Sequence, residues 1–198
     1  MGKRQKIYVR FVKRAIDFIL ALSGLILASW LYLIIIIAIR LDSPGPVVFK
    51  QKRIGKNKKI FDIYTFRTMT QDAPRDIPTH LFKNPEAYVT RVGKILRKYS
   101  LDEIPQLVNI LKGDMAVVGP RPALYNQGDL VAERDRYGVN SVRPGLTGWA
   151  QVHGRDELDI PEKARLDAYY VEHIGFLIDL KCFIKTIRVA LGGEGLQI

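Results

Sequence analysis

Two adjacent carboxylates, Asp102 and Glu103, are the groups in this chain best placed for covalent chemistry. They open a stretch that reads as a helix through Gln106 to Lys112, stopped by Gly113. Ser100 and Glu103 have capping-box spacing, whereas Asp102 as the cap places Pro105 in the first turn. In either register both carboxylates sit at a helix N-terminus, where the dipole favours their ionised form. That suits a nucleophile, which must be charged to attack; a plain helix cap is the competing reading of Asp102. Arginines supply the opposite charge. Gly119-Pro-Arg-Pro122 and Arg143-Pro-Gly-Leu-Thr-Gly148-Trp149 each hold an arginine beside proline, whose ring stiffens the loop and pins the cation, as phosphate recognition requires.

The elements that must position these groups lie in residues 42–198. Asp42-Ser-Pro-Gly-Pro46 reads as a turn and Val47-Val48-Phe49 as an apolar strand. Arg53-Ile-Gly55-Lys56-Asn57 is a basic turn, and Ile60 to Phe66 alternates as a second strand that pairs with the first as a hairpin. Asp72 to Pro85 reads as a loop, and Tyr88 to Tyr99 as an amphipathic helix carrying Arg91, Lys94, Arg97 and Lys98. Asp159-Ile-Pro-Glu starts a helix through Tyr169, Tyr170 and His173. Phe176 to Leu191 is largely apolar, with Lys181, Lys185 and Arg188 along one side. That pattern fits a helix lying in a membrane interface or one packing on a core with a wet face.

In front of this body stands a run of 22 uncharged residues, Phe18 to Ile39. As one helix it would rise about 33 Å, enough to cross a bilayer. Residues 1–14 carry six basic groups and no acid, and Lys50 to Lys59 another six and no acid. The rest is close to neutral. Anionic lipid headgroups beside a hydrophobic anchor explain these patches more economically than nucleic acid does. Arg40 to Lys59 holds seven basic groups against six before the run, so charge gives no reason to translocate the larger side. A helix that bends inside the bilayer accommodates that tie, with Ser23-Gly24 and Ser29-Trp30 as the weak points. Asp17 is expected at headgroup height, paired with Lys13 and Arg14. No small-x-small cleavage site follows the run, and the single cysteine, Cys182, excludes an internal disulfide.

These pieces, in this order, closely resemble the bacterial sugar transferases, specifically the small monotopic phosphoglycosyl transferases. The landmarks are Lys13-Arg14 with Asp17, Ser43-Pro-Gly-Pro46-Val47-x-Phe49-x-Gln51-x-Arg53-x-Gly55, Phe66-Arg-Thr-Met69, Leu101-Asp-Glu103, Val118-Gly-Pro-Arg-Pro122 and Val142-Arg-Pro-Gly-Leu-Thr-Gly-Trp-Ala-Gln151. They run from about Phe11 to Leu191. The resemblance implies transfer of a sugar-1-phosphate from a nucleoside diphosphate sugar, usually a UDP-sugar, to a polyprenyl phosphate such as undecaprenyl phosphate, with release of UMP. It implies Mg2+ as cofactor, Asp102 as nucleophile and metal ligand, and Glu103 as a group that assists either Asp102 or the incoming lipid phosphate. Arg97 and Arg121 match the phosphate site; Arg143 and Gln151 fall in a further motif near the active face.

The expected architecture is therefore α+β: an N-terminal basic segment and re-entrant membrane helix over 1–41, then a catalytic domain over 42–198. That domain would combine a small hairpin with mostly helical structure and amphipathic interfacial helices. The expected location is the cytoplasmic face of a bacterial inner membrane, in contact with anionic lipid and without nucleic acid. Oligomeric state, a homodimer included, stays open. Two departures stand out. Trp30 follows Ser29 where the family commonly has the proline that breaks the membrane helix. Thr65 stands where many members have lysine, so phosphate binding would pass to Arg67 or Arg53; an inactive membrane-bound binding or assembly protein is the alternative. His153 is expected at a structural or rim position, and Asp114 in the turn after Gly113.

Overall fold

The computed structural model describes residues 2–74, 85–154 and 158–192. Helix α1 (Lys3–Ile7) runs through a π-helical turn at Tyr8–Val12 into α2 (Lys13–Leu27), followed by α3 (Ser29–Asp42). Strands β1 (Val48–Ile54) and β2 (Ile60–Phe66) come next, then α4 (Arg91–Lys98), α5 (Gln106–Lys112) and β3 (Ala116–Val118). Helix α6 (Gly128–Arg136), β4 (Gly145–Thr147), α7 (Ile160–Glu172) and α8 (Phe176–Gly192) complete the order. Among the described residues helices thus dominate, with two two-stranded sheets, β1–β2 antiparallel and β3–β4 parallel. Part of the expected 72–85 loop falls outside the described residues.

The hydrophobic run is not one rod. Among the described residues no single helix is long and apolar enough to cross a membrane, but the pair Lys3–Leu27 and Ser29–Asp42, bent by 61°, meets that measure together. The break falls at Ala28, whose ψ of 0° opens the helix, so Ser29 and Trp30 become the first residues of α3 rather than the hinge. Docking supplies the bend that proline does not. On α2, Gly24 lies so close to Leu107 that an added Cβ would sit 3.1 Å from Leu107 Cδ1. On α3, the Tyr32 hydroxyl donates to the Ile104 carbonyl at 3.0 Å, and its ring meets Phe66 edge-on at 5.3 Å. The two halves follow different surfaces, and the chain must turn between them.

Asp17 keeps the expected pairing with Lys13 and is buried within the protein. It is 4% exposed, accepts the Val117 N–H at 3.0 Å and lies 3.6 Å from Lys13, which also reaches Asp179 at 2.9 Å. Arg14 also donates to the carbonyls of Ile110 and Leu111 in the last turn of α5, where the helix dipole favours a cation.

The hairpin forms as its alternation predicts, with β1 longer than expected. Phe49 faces Thr65 and Gln51 faces Ile63 in register. The basic turn closes with Asn57 and Lys58 both at positive φ. One core gathers Ile63, Ile110, Met115, Val139, Tyr170 and Cys182; a second holds Ile35, Ile39, Val47, Phe66 and Leu96. Asp159 caps α7 by accepting the Glu162 N–H at 2.8 Å. On α8, Ile178 and Cys182 are buried, while Phe176, Leu177, Leu180 and Ile187 are exposed. On α2 and α3, Ile19, Ile26, Leu27, Trp30 and Leu33 are also exposed.

Candidate active site

A cavity of about 230 Å³ lies between the hairpin, the segment following β2, α4 and the Pro120–Pro122 loop. Asp102 and Glu103 line it, and local backbone geometry puts them there. Ser100 takes the left-handed conformation (φ 53°), which reverses the chain after α4 and starts a 3-10 turn at Leu101–Glu103. Helix α5 begins only at Gln106, with Pro105 as its N-cap. Neither Ser100 nor Asp102 is therefore a helix cap, because the left-handed turn ends the alignment that a capping box needs.

The charge state of Asp102 also differs from the dipole argument. Burial first, and then the Glu103 carboxylate beside it, push its pKa up to about 6; Arg97 and Arg121 oppose the shift without cancelling it. Asp102 is thus ionised at neutral pH, but held there against a penalty. Glu103 accepts a hydrogen bond from Arg121 Nη2 at 2.9 Å.

The arginines around this pair divide into two kinds. Arg97 and Arg121 line the cavity, Arg97 donating from Nε to Thr68 Oγ1 at 2.9 Å. Burial lowers the Arg97 pKa, and Asp102 partly restores it. Arg53 and Arg67 line the same cavity but also hold backbone. Arg53 donates to the Pro122 carbonyl at 3.1 Å and to Gln51 Oε1 at 2.6 Å, leaving its buried Nε without a hydrogen bond. Burial and the neighbouring Arg121 bring its pKa down to about 10. Arg67 spends Nη2 on the Ser43 carbonyl and hydroxyl at 2.6 and 2.9 Å, while its buried Nε and Nη1 have no hydrogen-bond partner. Four guanidinium groups around two carboxylates leave the cavity net positive.

Arg143 and Gln151 are not among the residues lining this cavity. Arg143 donates from Nε to the Gly113 carbonyl at 2.8 Å, and Gln151 donates to the Leu146 carbonyl at 3.1 Å. His153 is also elsewhere, with Nδ1 2.7 Å from the Trp149 carbonyl and Nε2 2.8 Å from Lys185 Nζ. Asp114 follows Gly113 in the turn, its N–H bonded to the Asn109 carbonyl. Thr65 lines the cavity together with Arg53 and Arg67. Gln51, Thr68 and Gln106 line it too, and the sequence alone assigns them no role. Gln51 was within reach of it: strand alternation places Phe49, Gln51 and Arg53 on one face.

Among the described residues no group of three or more His, Cys, Asp or Glu side chains can hold a metal unaided. Two adjacent carboxylates beside space for an anion nevertheless suit Mg2+, which keeps waters and takes one or two carboxylates plus phosphate oxygens. The raised Asp102 pKa marks a negative charge that a dication would relieve.

Residues 8–193 match the model of the family described as bacterial sugar transferase. The chain is 41% identical over 186 residues to the uncharacterized sugar transferase EpsL of Bacillus subtilis (strain 168), covering 94% of this chain and 90% of that one. It is 41% identical over 193 residues to the UDP-N-acetylgalactosamine-undecaprenyl-phosphate N-acetylgalactosaminephosphotransferase of Aeromonas hydrophila, covering 93% of this chain but 45% of that one. Identity to the undecaprenyl-phosphate galactose phosphotransferase of Salmonella typhimurium is 33% over 200 residues, 42% of that protein's length.

Proposed function

The chain belongs to the bacterial sugar transferase family, and from that premise we propose that it is a membrane-bound phosphoglycosyl transferase. It moves a sugar-1-phosphate from a UDP-sugar to undecaprenyl phosphate, the lipid acceptor named in two of its relatives. The observation that carries this reading is a single cavity in which four guanidinium groups, those of Arg53, Arg67, Arg97 and Arg121, face two carboxylates, Asp102 and Glu103. Such a cavity is short of anionic charge, and a pyrophosphate supplies it.

The residues divide the work as follows. Ionised Asp102 attacks the phosphorus that bears the sugar; the bond to the bridging oxygen breaks, and UMP leaves with that electron pair. An aspartyl phosphosugar remains on Asp102. An oxygen of the polyprenyl phosphate then attacks the same phosphorus, and the Asp102 carboxylate departs, giving a polyprenyl diphosphate sugar. Arg97 and Arg121 hold nonbridging oxygens and lower the repulsion that an anionic nucleophile meets. Glu103, held by Arg121 before substrate arrives, positions that fork and helps the second phosphate in. Asp102, with Glu103 nearby, would hold Mg2+, which supplies charge neutralisation and Lewis acidity at the phosphate oxygens.

Protein in detergent with Mg2+ is expected to release UMP from a UDP-sugar only when undecaprenyl phosphate regenerates the free enzyme, beyond one initial turnover, and EDTA should stop it. A panel of UDP-sugars read by UMP release tests this, and no release from any donor would sink it. Thr65 favours the second reading, a binding or assembly protein; UDP-sugar binding without any adduct on Asp102 would support that one.

We further propose that α2 and α3 enter and leave the cytoplasmic leaflet of the bacterial inner membrane on the same side. Support comes from the 61° bend, the exposed Ile19, Ile26, Leu27 and Leu33, and the basic segments on both flanks. Impermeant labelling of single cysteines placed at residues 5 and 50 in spheroplasts should find both protected. Labelling of one alone would mean a span.

A further inference from the structure

Arg121 sits between two prolines, and proline has no backbone N–H. The Pro120-Arg121-Pro122 segment can therefore be fixed chiefly through its carbonyls, and all three are occupied. The Pro120 carbonyl accepts the Gly145 N–H at 2.9 Å. The Arg121 carbonyl accepts from Arg134 Nη1 at 2.9 Å, and the Pro122 carbonyl from Arg53 Nη1 at 3.1 Å. Three separate parts of the chain, β4, α6 and β1, each contribute one donor.

The donor from α6 is the unusual one. Arg134 is 3% exposed and Asp167, its partner on α7, is 1% exposed. Nε and Nη2 of Arg134 both reach Asp167 Oδ2, at 2.9 and 2.6 Å. That arrangement fixes the guanidinium plane and leaves Nη1 to point at the Arg121 carbonyl. A buried ion pair is a weak source of net stability, since well-packed apolar residues would join α6 to α7 as well. What apolar residues cannot do is hold a carbonyl in the next loop. Lysine cannot do it either while keeping Asp167, because it lacks the second and third arms of the fork.

We propose that Arg134, oriented by Asp167, is a positioning residue for Arg121. It holds the Arg121 backbone so that the side chain meets Glu103 before substrate binds and the phosphate afterwards. The inference rests on the phosphoglycosyl transferase reading for its effect on turnover, though not for its effect on the loop.

The test uses the full chain in detergent with Arg134→Lys, which retains a cation for Asp167, alongside Asp167→Asn, Arg121→Ala and the R134K/R121A double variant. R134K is expected to lower kcat/KM for the UDP-sugar on the order of 10²-fold, with KM raised as well as kcat lowered. The double variant should be no worse than R121A within about threefold, since Arg134 acts through Arg121. D167N should move in the same direction as R134K. A purely structural role would reduce the active fraction but leave KM alone, and its effect would add to that of R121A; either result overturns the proposal. Amide exchange read by mass spectrometry needs no substrate. In R134K the residues 121–125 should exchange about tenfold faster, with α4 unchanged. If that segment is unaltered the positioning role fails, whatever the activity. If it loosens while wild type releases no UMP from any donor, the enzyme reading fails and the positioning role stands.

Discussion

Asp102→Asn is expected to reduce UMP release by at least ~10⁴-fold while raising the melting temperature at pH 7.5. The first effect follows from the chemistry: an amide cannot attack phosphorus, and the neighbouring carboxylate, Glu103, is engaged by Arg121. The second follows from the sign of the pKa shift. In the folded chain Asp102 titrates near 6, above its ordinary 3.8, chiefly because burial disfavours the charge. The folded state therefore binds that proton more tightly than the unfolded chain does. The resulting stabilisation is complete below about pH 3.8 and is lost as pH rises through about 6. Asparagine never carries the penalty, so D102N should gain most over wild type at neutral pH and nothing below about pH 4. In turnover, kcat/KM should fall about tenfold per pH unit on its acid limb as the nucleophile protonates, and that limb should lie below 6 because Mg2+ beside Asp102 would favour the carboxylate. UMP release and thermal melts across pH 4–8 check all three statements. A D102N protein with more than about 1% of wild-type turnover would end the nucleophile assignment.

How much of this was legible beforehand depended on the range of the forces involved. The hairpin was readable because Ile60 to Phe66 alternates, and α7 because Asp159 and Pro161 announce its start; both signals are local. Strands β3 and β4 are three residues each and owe their pairing to glycines that only matter once the two strands meet. Ser100 has no turn signature, yet its left-handed backbone decides that Asp102 faces a cavity instead of capping a helix. The pKa of Asp102 ran against the helix-dipole expectation because desolvation depends on walls contributed by the hairpin and by Pro122, distant in sequence. The bend at Ala28 likewise depends on Leu107, Ile104 and Phe66. Asp102, Glu103, Arg97, Arg121, Arg53 and Arg67 were all gathered in one cavity; Arg143, from a motif just as prominent, was not.

That prominence has a physical explanation, and Gly145→Ala tests it. The Arg143-Pro-Gly-Leu-Thr-Gly148 motif lies against Val118-Gly-Pro-Arg-Pro122, backbone to backbone. Gly119 N–H donates to the Thr147 carbonyl at 2.8 Å, and Gly145 N–H to the Pro120 carbonyl at 2.9 Å. A Cβ on Gly145 would lie 2.1 Å from the Gly119 nitrogen and 2.4 Å from the Thr147 oxygen; on Gly148 it would lie 2.1 Å from the Gly119 oxygen. These neighbours are main chain and cannot rotate aside, so relief requires β3 and β4 to separate. G145A should therefore destabilise the protein by about 3 kcal/mol, at the upper end of the usual cost of overpacking. Its turnover per folded molecule should also fall, because parting the strands releases the Pro120 carbonyl and with it one of the three supports of Arg121. Gly128→Ala is the control: nothing lies within 4 Å of its Cβ position, so stability and turnover should hold. A G145A protein that melts within about 2 °C of wild type and keeps its turnover would show that the two motifs are not interlocked in this way. If the strands do part, the two proline-arginine motifs are one device: the first carries the cation into the cavity, and the second fixes the backbone from which it reaches.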